Sequence, residues 1–289
     1  MTLEPLARTE PIFGAEQAQA RSVAIIGCGS VGSVAANQLA RTGIGHLTIV
    51  DPDVVEPANL SRTEYTTEDV GSPKVDALAE RIRSLTGTTT VTTHQRSLAL
   101  VDCEQFAAEL AGHDLIIAAT DDPEAQAIAD WAAHENGIPM VAIGLYAGAK
   151  GGEIFAVVPG KTPCYACVMG IRTGLDEELQ RTRDYGTGRL EAQPALGCDI
   201  ATVTSIGVRI SLSLLAPEGS ELAGVAAEIV ESGETFLTIG LVSDFWFFPK
   251  VFGNTVGQRS HQTVWVQTSR RDSCERCNQP IPLEQEIIE

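Results

Sequence analysis

The hexapeptide Gly27-Cys28-Gly29-Ser30-Val31-Gly32 has the residue types of a phosphate cradle. It follows a short β-branched run, Ser22–Gly27, and opens a segment with apolar residues at helical spacing: Val31, Val34, Ala35 and Leu39. The first glycine permits a tight turn, the second lets backbone approach a phosphate, and the third lets helix and strand pack closely. A helix N-terminus adds free N–H groups and partial positive charge. Asp51, 24 positions after Gly27 at the end of the next strand-like run, is placed to accept from ribose hydroxyls. The glycine loop alone is a weak signal. The order strand, loop, helix, strand, acid is a strong one.

A nicotinamide site has no need of the residues that follow. Asn59, Arg62 and Lys74 all fall within 24 positions of Asp51. Arg62 suits bidentate phosphate contact, Lys74 a point-charge contact and Asn59 neutral hydrogen bonding. In Ser72-Pro73-Lys74, the serine reads as a helix N-cap and the proline as the first helical residue. A cation at that helix end opposes the helix dipole, so an anion should offset it. Each residue alone reads as a solvated surface group. Together they suit a triphosphate attacked at its α-phosphorus, where charge spreads over the phosphate oxygens. Asp121 follows the apolar run Asp114–Thr120 and so emerges at a strand's carboxyl end, the ligand-binding end of open α/β sheets. A carboxylate beside a triphosphate is best explained by a bridging Mg²⁺. Asp122, before Pro123, reads as the N-terminal acid of a helix. The five histidines (46, 94, 113, 134 and 261) show no pairing by spacing and read as structural or surface groups.

The chain has seven cysteines. Cys164-x-x-Cys167 and Cys274-x-x-Cys277 offer four thiolates in two knuckles, a set that suits tetrahedral Zn²⁺ in a closed, structural site. With 106 residues between Cys167 and Cys274, the metal would staple the end of the sequence to its middle. Cys28 needs only to be small. Cys103 begins a helical segment and reads as a packing residue. Cys198, at the start of an apolar helix, reads either as packing or as a reactive thiol at a helix N-terminus.

These groups need a scaffold. Strand-like runs alternate with helical segments through the first half: strands at 22–27, 46–50, 91–94, 114–120 and 139–145, helices at 30–41, 72–85, 103–110 and 124–136. This pattern implies βαβ units and a Rossmann-like, mostly parallel sheet flanked by helices. Gly152–Val158 is a further strand. Ile171–Leu196 is polar and poorly periodic and reads as a mobile crossover loop. Asp199–Leu215 and Glu221–Glu231 read as helices. From Thr235 to Thr268 strands and turns predict an antiparallel sheet covering one side of the parallel one. One unit spans 1–289: an N-terminal arm (1–20), a nucleotide-binding half (21–160) and a zinc-stapled half (161–289). Hydrophobic residues make up 44% of the chain, enough for a sizeable core. A net charge of −18 opposes general binding to nucleic acid or anionic membrane. No run of 18 apolar residues predicts a membrane span, and no signal pattern opens the chain. The expected location is cytoplasmic.

In order and approximate spacing, Gly27-C-G-S-V-Gly32, Asp51-P-D, Asn59-L-S-Arg62, Gly71-S-P-Lys74, Ala119-T-Asp121 and Thr162-P-C-Y-A-Cys167 resemble the ubiquitin-activating-enzyme superfamily in its ThiF/MoeB/HesA-type adenylating form. The resemblance runs from about Arg8 to Cys277. It implies ATP and Mg²⁺ binding and adenylation of the C-terminal glycine carboxylate of a small ubiquitin-like or sulfur-carrier protein, with pyrophosphate released. It also implies a homodimer, with Arg8 as the matching candidate for an arginine reaching the partner's phosphates, and supports pairing of the two cysteine knuckles around zinc. Relatives that form a thioester or persulfide carry a cysteine near Cys198, a few residues earlier, where this chain has Gln193-Pro194. Thioester formation and hand-over to a conjugating enzyme are therefore one expected outcome, and sulfur transfer for cofactor synthesis is the alternative. Two readings from other classes remain open at this point: a nicotinamide-dependent oxidoreductase, resting on the glycine loop and Asp51, and a non-catalytic regulatory subunit.

Overall fold

The computed structural model describes residues 4–169, 194–243, 245 and 259–278. Short β-branched runs become strands: β1 (Ser22–Ile26), β2 (His46–Val50), β3 (Thr90–His94), β4 (Leu115–Ala118), β5 (Met140–Leu145), β6 (Gly151–Val157), β7 (Phe236–Gly240) and β8 (Gln262–Val266). They form one eight-stranded sheet in the order β3-β2-β1-β4-β5-β6-β7-β8. The pairings among β1 to β5 are parallel, with Ile26 opposite both Val50 and Ala118. Those from β5 through β8 are antiparallel. The C-terminal antiparallel part thus continues the edge of the parallel sheet instead of lying over one of its sides. All seven residues of β6 are buried. Such a strand needs a hydrogen-bonded neighbour on each edge and cover on both faces, and a continuous sheet supplies these.

The helices are α1 (Ala15–Gln19), α2 (Ser30–Thr42), α3 (Lys74–Leu85), α4 (Cys103–Leu110), α5 (Pro123–Glu135), α6 (Gly197–Leu215), α7 (Gly224–Ser232) and α8 (Glu275–Asn278). Strand alternation divides the core between the two faces. Val23, Ile25, Leu47, Ile49 and Ile117 pack with α2, α3 and α6. Ala24, Ile26, Val50, Ile116 and Ala118 pack with α4 and α5. Ile25, Leu47 and Ile49 are fully buried, and each contributes roughly 2 kcal/mol by leaving water. By length and composition the 19-residue α6 is apolar enough to cross a membrane, but half of it is buried in the fold, where it packs on α2, β5 and β6. It is the core helix of one face. Of the segments read from sequence, most of the 171–196 loop and, within the Thr235–Thr268 stretch, residues 244 and 246–258 lie outside the described residues.

The sheet order matters for the site. From β1 the chain proceeds to β2 and β3, then returns to β4 on the other side of β1. The carboxyl ends of β1 and β4 therefore flank a topological switch point, where the connections diverge and leave a crevice.

Candidate nucleotide site and cysteine cluster

The glycine loop turns at the end of β1. Gly27 has φ +96°, a backbone region that favours glycine, and its N–H donates to the Val50 carbonyl at 2.8 Å. A Cβ on Gly27 would meet the Ala119 carbonyl at 2.6 Å, and one on Gly32 would meet the Gly27 carbonyl at 1.8 Å. Loop, helix and the exit of β4 are thus in close contact. Gly29 differs: a Cβ there would stand in open space. Gly29 is also the N-cap of α2, with no side-chain cap bond. The first N–H groups of an α-helix have no intrahelical partner, and a phosphate fits their donor chemistry.

Asp51 ties this loop. Its Oδ2 accepts from the Cys28 N–H at 2.6 Å and its Oδ1 from the Asp53 N–H at 2.9 Å. Burial pushes its carboxyl upward against the opposing pull of Lys74 and of the two N–H donors. Lys74 Nζ lies 2.7 Å from Asp53 Oδ2 and 4.0 Å from Asp51 Oδ1. Burial alone would lower the Lys74 amine, but Asp51 and Asp53 outweigh it and raise it, so Lys74 is a buried, charged ammonium. The anion expected to offset a cation at this helix end is supplied by the chain itself. The helix begins at Lys74, with Pro73 in the cap position at ψ 133° and no cap from Ser72, one residue later than the sequence suggested. A bridge between Val54 and Pro73 holds the proline extended and delays the helix.

Tyr65, which the sequence did not single out, buttresses the site. Its hydroxyl donates to the Cys28 carbonyl at 2.7 Å and reaches the Lys74 carbonyl at 3.3 Å. Asn59 ends a short 3-10 turn, Pro57–Asn59, and its Oδ1 accepts from the Glu56 N–H at 2.9 Å. The Arg62 N–H donates to the Asn59 carbonyl at 3.1 Å. The segment is latched to the helices by Glu64, whose carboxylate takes Asn37 at 2.7 Å and Arg81 at 3.2 Å. Asp121 is exposed, three residues beyond β4. Asp122 caps α5 by accepting from the Glu124 N–H at 2.9 Å. The structure thus brings Gly27, Gly32, Asp51 and Lys74 into one contact network, with Gly29 at the open helix end, and sets Asp121 at the adjoining strand exit.

Arg8 is exposed and lies elsewhere. Leu6, two residues before it, is fully buried against Gly43, ahead of the start of β2. This is the amino end of the strands, opposite the glycine loop. Cys198, at the N-terminus of α6, is exposed, so packing does not account for it. Its Sγ lies 3.8 Å from Asp199 Oδ1. A Cβ on Gly197 would lie 3.8 Å from the Arg62 Cα, which puts this helix end beside the Arg62 segment. Cys103 is also exposed, contrary to the packing role expected. It occupies the first turn of α4, where Phe106, Ala107 and Leu110 are the residues turned inward.

The four knuckle cysteines gather with all Sγ atoms within 4.8 Å of one another. Cys164 and Cys274 are 3.5 Å apart and Cys167 and Cys277 3.7 Å. Tetrahedral zinc with thiolates at ~2.3 Å requires sulfur separations of about 3.8 Å, so the set fits. Backbone N–H groups already point at sulfur, Cys164 N to Cys277 Sγ at 3.3 Å and Arg271 N to Cys167 Sγ at 3.4 Å. Burial and then Asp130 drive the Cys164 thiol upward. Burial also raises Cys277, to about 11, whereas donors outweigh burial at Cys274 and bring it to about 7. Four thiolates cannot share this volume without a cation. Behind them sits Asp130 of α5, fully buried, pairing with Arg276 and accepting from the Tyr165 N–H at 3.1 Å.

Known proteins share both the sequence pattern and the fold. The ThiF family profile matches residues 8–235. The chain is 34% identical over 168 residues to ubiquitin-like modifier-activating enzyme 5 of Oryza sativa subsp. japonica, covering 54% of this chain and 40% of that protein. It is 33% identical over 221 residues to the enzyme of the same name from Drosophila grimshawi, covering 73% of this chain and 52% of that one. The chain therefore spans about half the length, or less, of these curated relatives. Among solved structures, E. coli MccB crystallised with ATP superposes with a TM-score of 0.64 at 17% identity, over 91% of this chain and 68% of that one. PaaA superposes at 0.60 and 22% identity, over 78% and 71%. At these identities the structural likeness concerns the fold, which is the same mixed sheet with helices on both faces. The profile covers the glycine loop, the Asp51–Lys74 network and the first cysteine knuckle, and on that match this chain belongs to the ThiF family.

Proposed function

We propose that this chain adenylates the C-terminal carboxylate of a small ubiquitin-like protein. The observation that carries the reading is the uncapped N-terminus of α2, open at Gly29 beside the buried ammonium of Lys74. ATP is the substrate this arrangement suits. The α2 N–H groups receive phosphate oxygens, and Arg62 and Lys74 take up charge on the triphosphate. Lys74 is preset by Asp53, whose side chain is 63% exposed. Asp53 can therefore turn to water when a phosphate takes its place on Lys74. Asp121 is the carboxylate that fits Mg²⁺; when bound, the ion neutralises phosphate charge and orients the leaving group.

The incoming carboxylate is already ionised, so no general base is needed. Its oxygen bonds to the α-phosphorus, the bond from that phosphorus to the bridging oxygen breaks, and pyrophosphate leaves. Positioning and charge stabilisation suffice. The partner class is a small protein ending in glycine. The names of the curated relatives favour a ubiquitin-like modifier over a sulfur carrier. Arg8, exposed at the far end of its own strands, is assigned to a second copy's phosphates in a homodimer. The test is exchange of labelled pyrophosphate into ATP, dependent on a small glycine-ending protein. Asp121→Ala and Arg62→Ala should abolish it while leaving circular dichroism unchanged. Normal exchange in both variants refutes the assignment.

Cys198 supports a second step. It is exposed at the end of α6 that lies beside Arg62. In this step its sulfur attacks the adenylated carbonyl, AMP leaves and a thioester remains. Cys198→Ala should keep pyrophosphate exchange and lose a thiol-cleavable adduct with the partner; an adduct that persists in this variant excludes the cysteine.

A further inference from the structure

A line of hydrogen bonds joins the cysteine cluster to the strand exit that carries Asp121. It runs along α5, where Gln126, Asp130 and His134 recur at every fourth position and so share one side of the helix. Tyr165 lies between Cys164 and Cys167, and its hydroxyl donates to Gln126 Oε1 at 2.6 Å. Gln126 Nε2 in turn donates to the Thr120 carbonyl at 2.6 Å. Thr120 immediately precedes Asp121, and its hydroxyl accepts from the Asp122 N–H at 3.1 Å.

The orientation of Gln126 is fixed from both ends. A carbonyl only accepts, so the amide nitrogen faces Thr120 and leaves the amide oxygen for the phenol. The Thr120–Asp121 peptide is planar. Gripping its carbonyl oxygen therefore fixes the plane from which Asp121 departs. Beyond β4 this stretch is outside the sheet ladder, so a side-chain grip substitutes for strand pairing.

We propose that Gln126 and Tyr165 are positioning residues for Asp121, and that through them the order of the cysteine cluster is transmitted to the nucleotide site. The functional half rests on the adenylation reading above; the structural half does not. Tyr165→Phe is a narrow perturbation. It keeps the ring edge on Phe155, with centroids 5.3 Å apart at 87°, and keeps the backbone bond to Asp130. Gln126→Leu keeps the volume and removes both links.

Two readouts on the zinc-loaded protein test the relay. The first, needing no activity, is amide hydrogen exchange across residues 119–122 in the ligand-free chain, which should quicken in both variants. The second is the Mg²⁺ concentration giving half-maximal pyrophosphate exchange. It should rise about three- to tenfold, the worth of one hydrogen bond. Because the two residues act in series, the double variant should be no worse than the worse single one, and zinc should stay at one per chain throughout. Unchanged amide exchange in both variants overturns the relay. So does an unmoved Mg²⁺ midpoint, multiplying effects in the double variant, or zinc loss in Tyr165→Phe. A wild-type protein without pyrophosphate exchange refutes the adenylation reading, and amide exchange then decides the relay alone.

Discussion

Arg276→Leu should be among the more damaging single changes in the C-terminal half. Arg276 stands between Cys274 and Cys277 and pairs with Asp130, whose side chain is fully buried. Among the described residues, Asp130 retains the Tyr165 N–H and His134 when the guanidinium goes, and His134 Nδ1 already lies 2.9 Å from the Asp130 carbonyl. Breaking a buried pair and leaving its charge behind costs about 3–5 kcal/mol. The Arg276 side chain is 24% exposed, so water reaches the pair and the lower end applies, about 3 kcal/mol. At about 2–4 °C per kcal/mol for larger domains, melting should fall by roughly 6–12 °C. Urea unfolding of the zinc-loaded variant, analysed by linear extrapolation, measures the loss directly. Asp130→Asn added to Arg276→Leu removes the stranded charge and should regain more than ~1 kcal/mol. A loss under about 1 kcal/mol for the single variant, or a double variant weaker than the single, refutes the argument.

Other outcomes follow from the same geometry. Tyr65→Phe removes a buried hydroxyl from the Cys28 carbonyl and should cost about 1–2 kcal/mol while weakening ATP binding by calorimetry; unchanged affinity would remove Tyr65 from the site's support. Folded protein loaded with zinc should show two fast thiols, Cys103 and Cys198, with the four knuckle thiols joining after chelation and Cys28 only on unfolding. Six fast thiols before chelation would contradict a closed metal site. Burial lowers His113, and burial followed by Arg96 lowers His94, below the usual histidine value of 6.5. The unfolded chain then takes up protons first, so stability present at neutral pH should decline as pH falls below about 6.5. His113→Gln should flatten that decline in urea midpoints measured from pH 7 to 5, and an unaltered slope would exclude His113 as a source.

Much of the scaffold could be read from the chain because local signals agreed with tertiary demands. His46–Val50 and Cys103–Leu110 take up the boundaries their patterns suggest, the helix aided by the Asp102 side chain accepting from the Gln105 N–H. The glycine loop was legible because two of its glycines answer to backbone contacts within 3 Å. Asp51 was legible as a residue but not in its present work, since its bonds to Cys28 and Asp53 depend on where the loop folds back. Pro73 misled by one residue because a bridge to Val54 holds it extended. Tyr65 left no signal, being one aromatic ring in a polar stretch whose partner is a backbone carbonyl. The row Gln126, Asp130, His134 was readable at helical spacing. Its meaning was not, because Tyr165 and Arg276 arrive from 39 and 146 residues further along the chain.

On the proposed reading, the open end of α2 and the ammonium of Lys74 together receive a triphosphate. A crystal grown with a non-hydrolysable ATP analogue and Mg²⁺ tests it most directly. Phosphate oxygens should lie within hydrogen-bonding distance of the first α2 N–H groups, with Lys74 Nζ drawn from Asp53 to a phosphate and the ion on Asp121. A nucleotide bound elsewhere, or a cradle that takes a nicotinamide dinucleotide while Lys74 stays on Asp53, would contradict it.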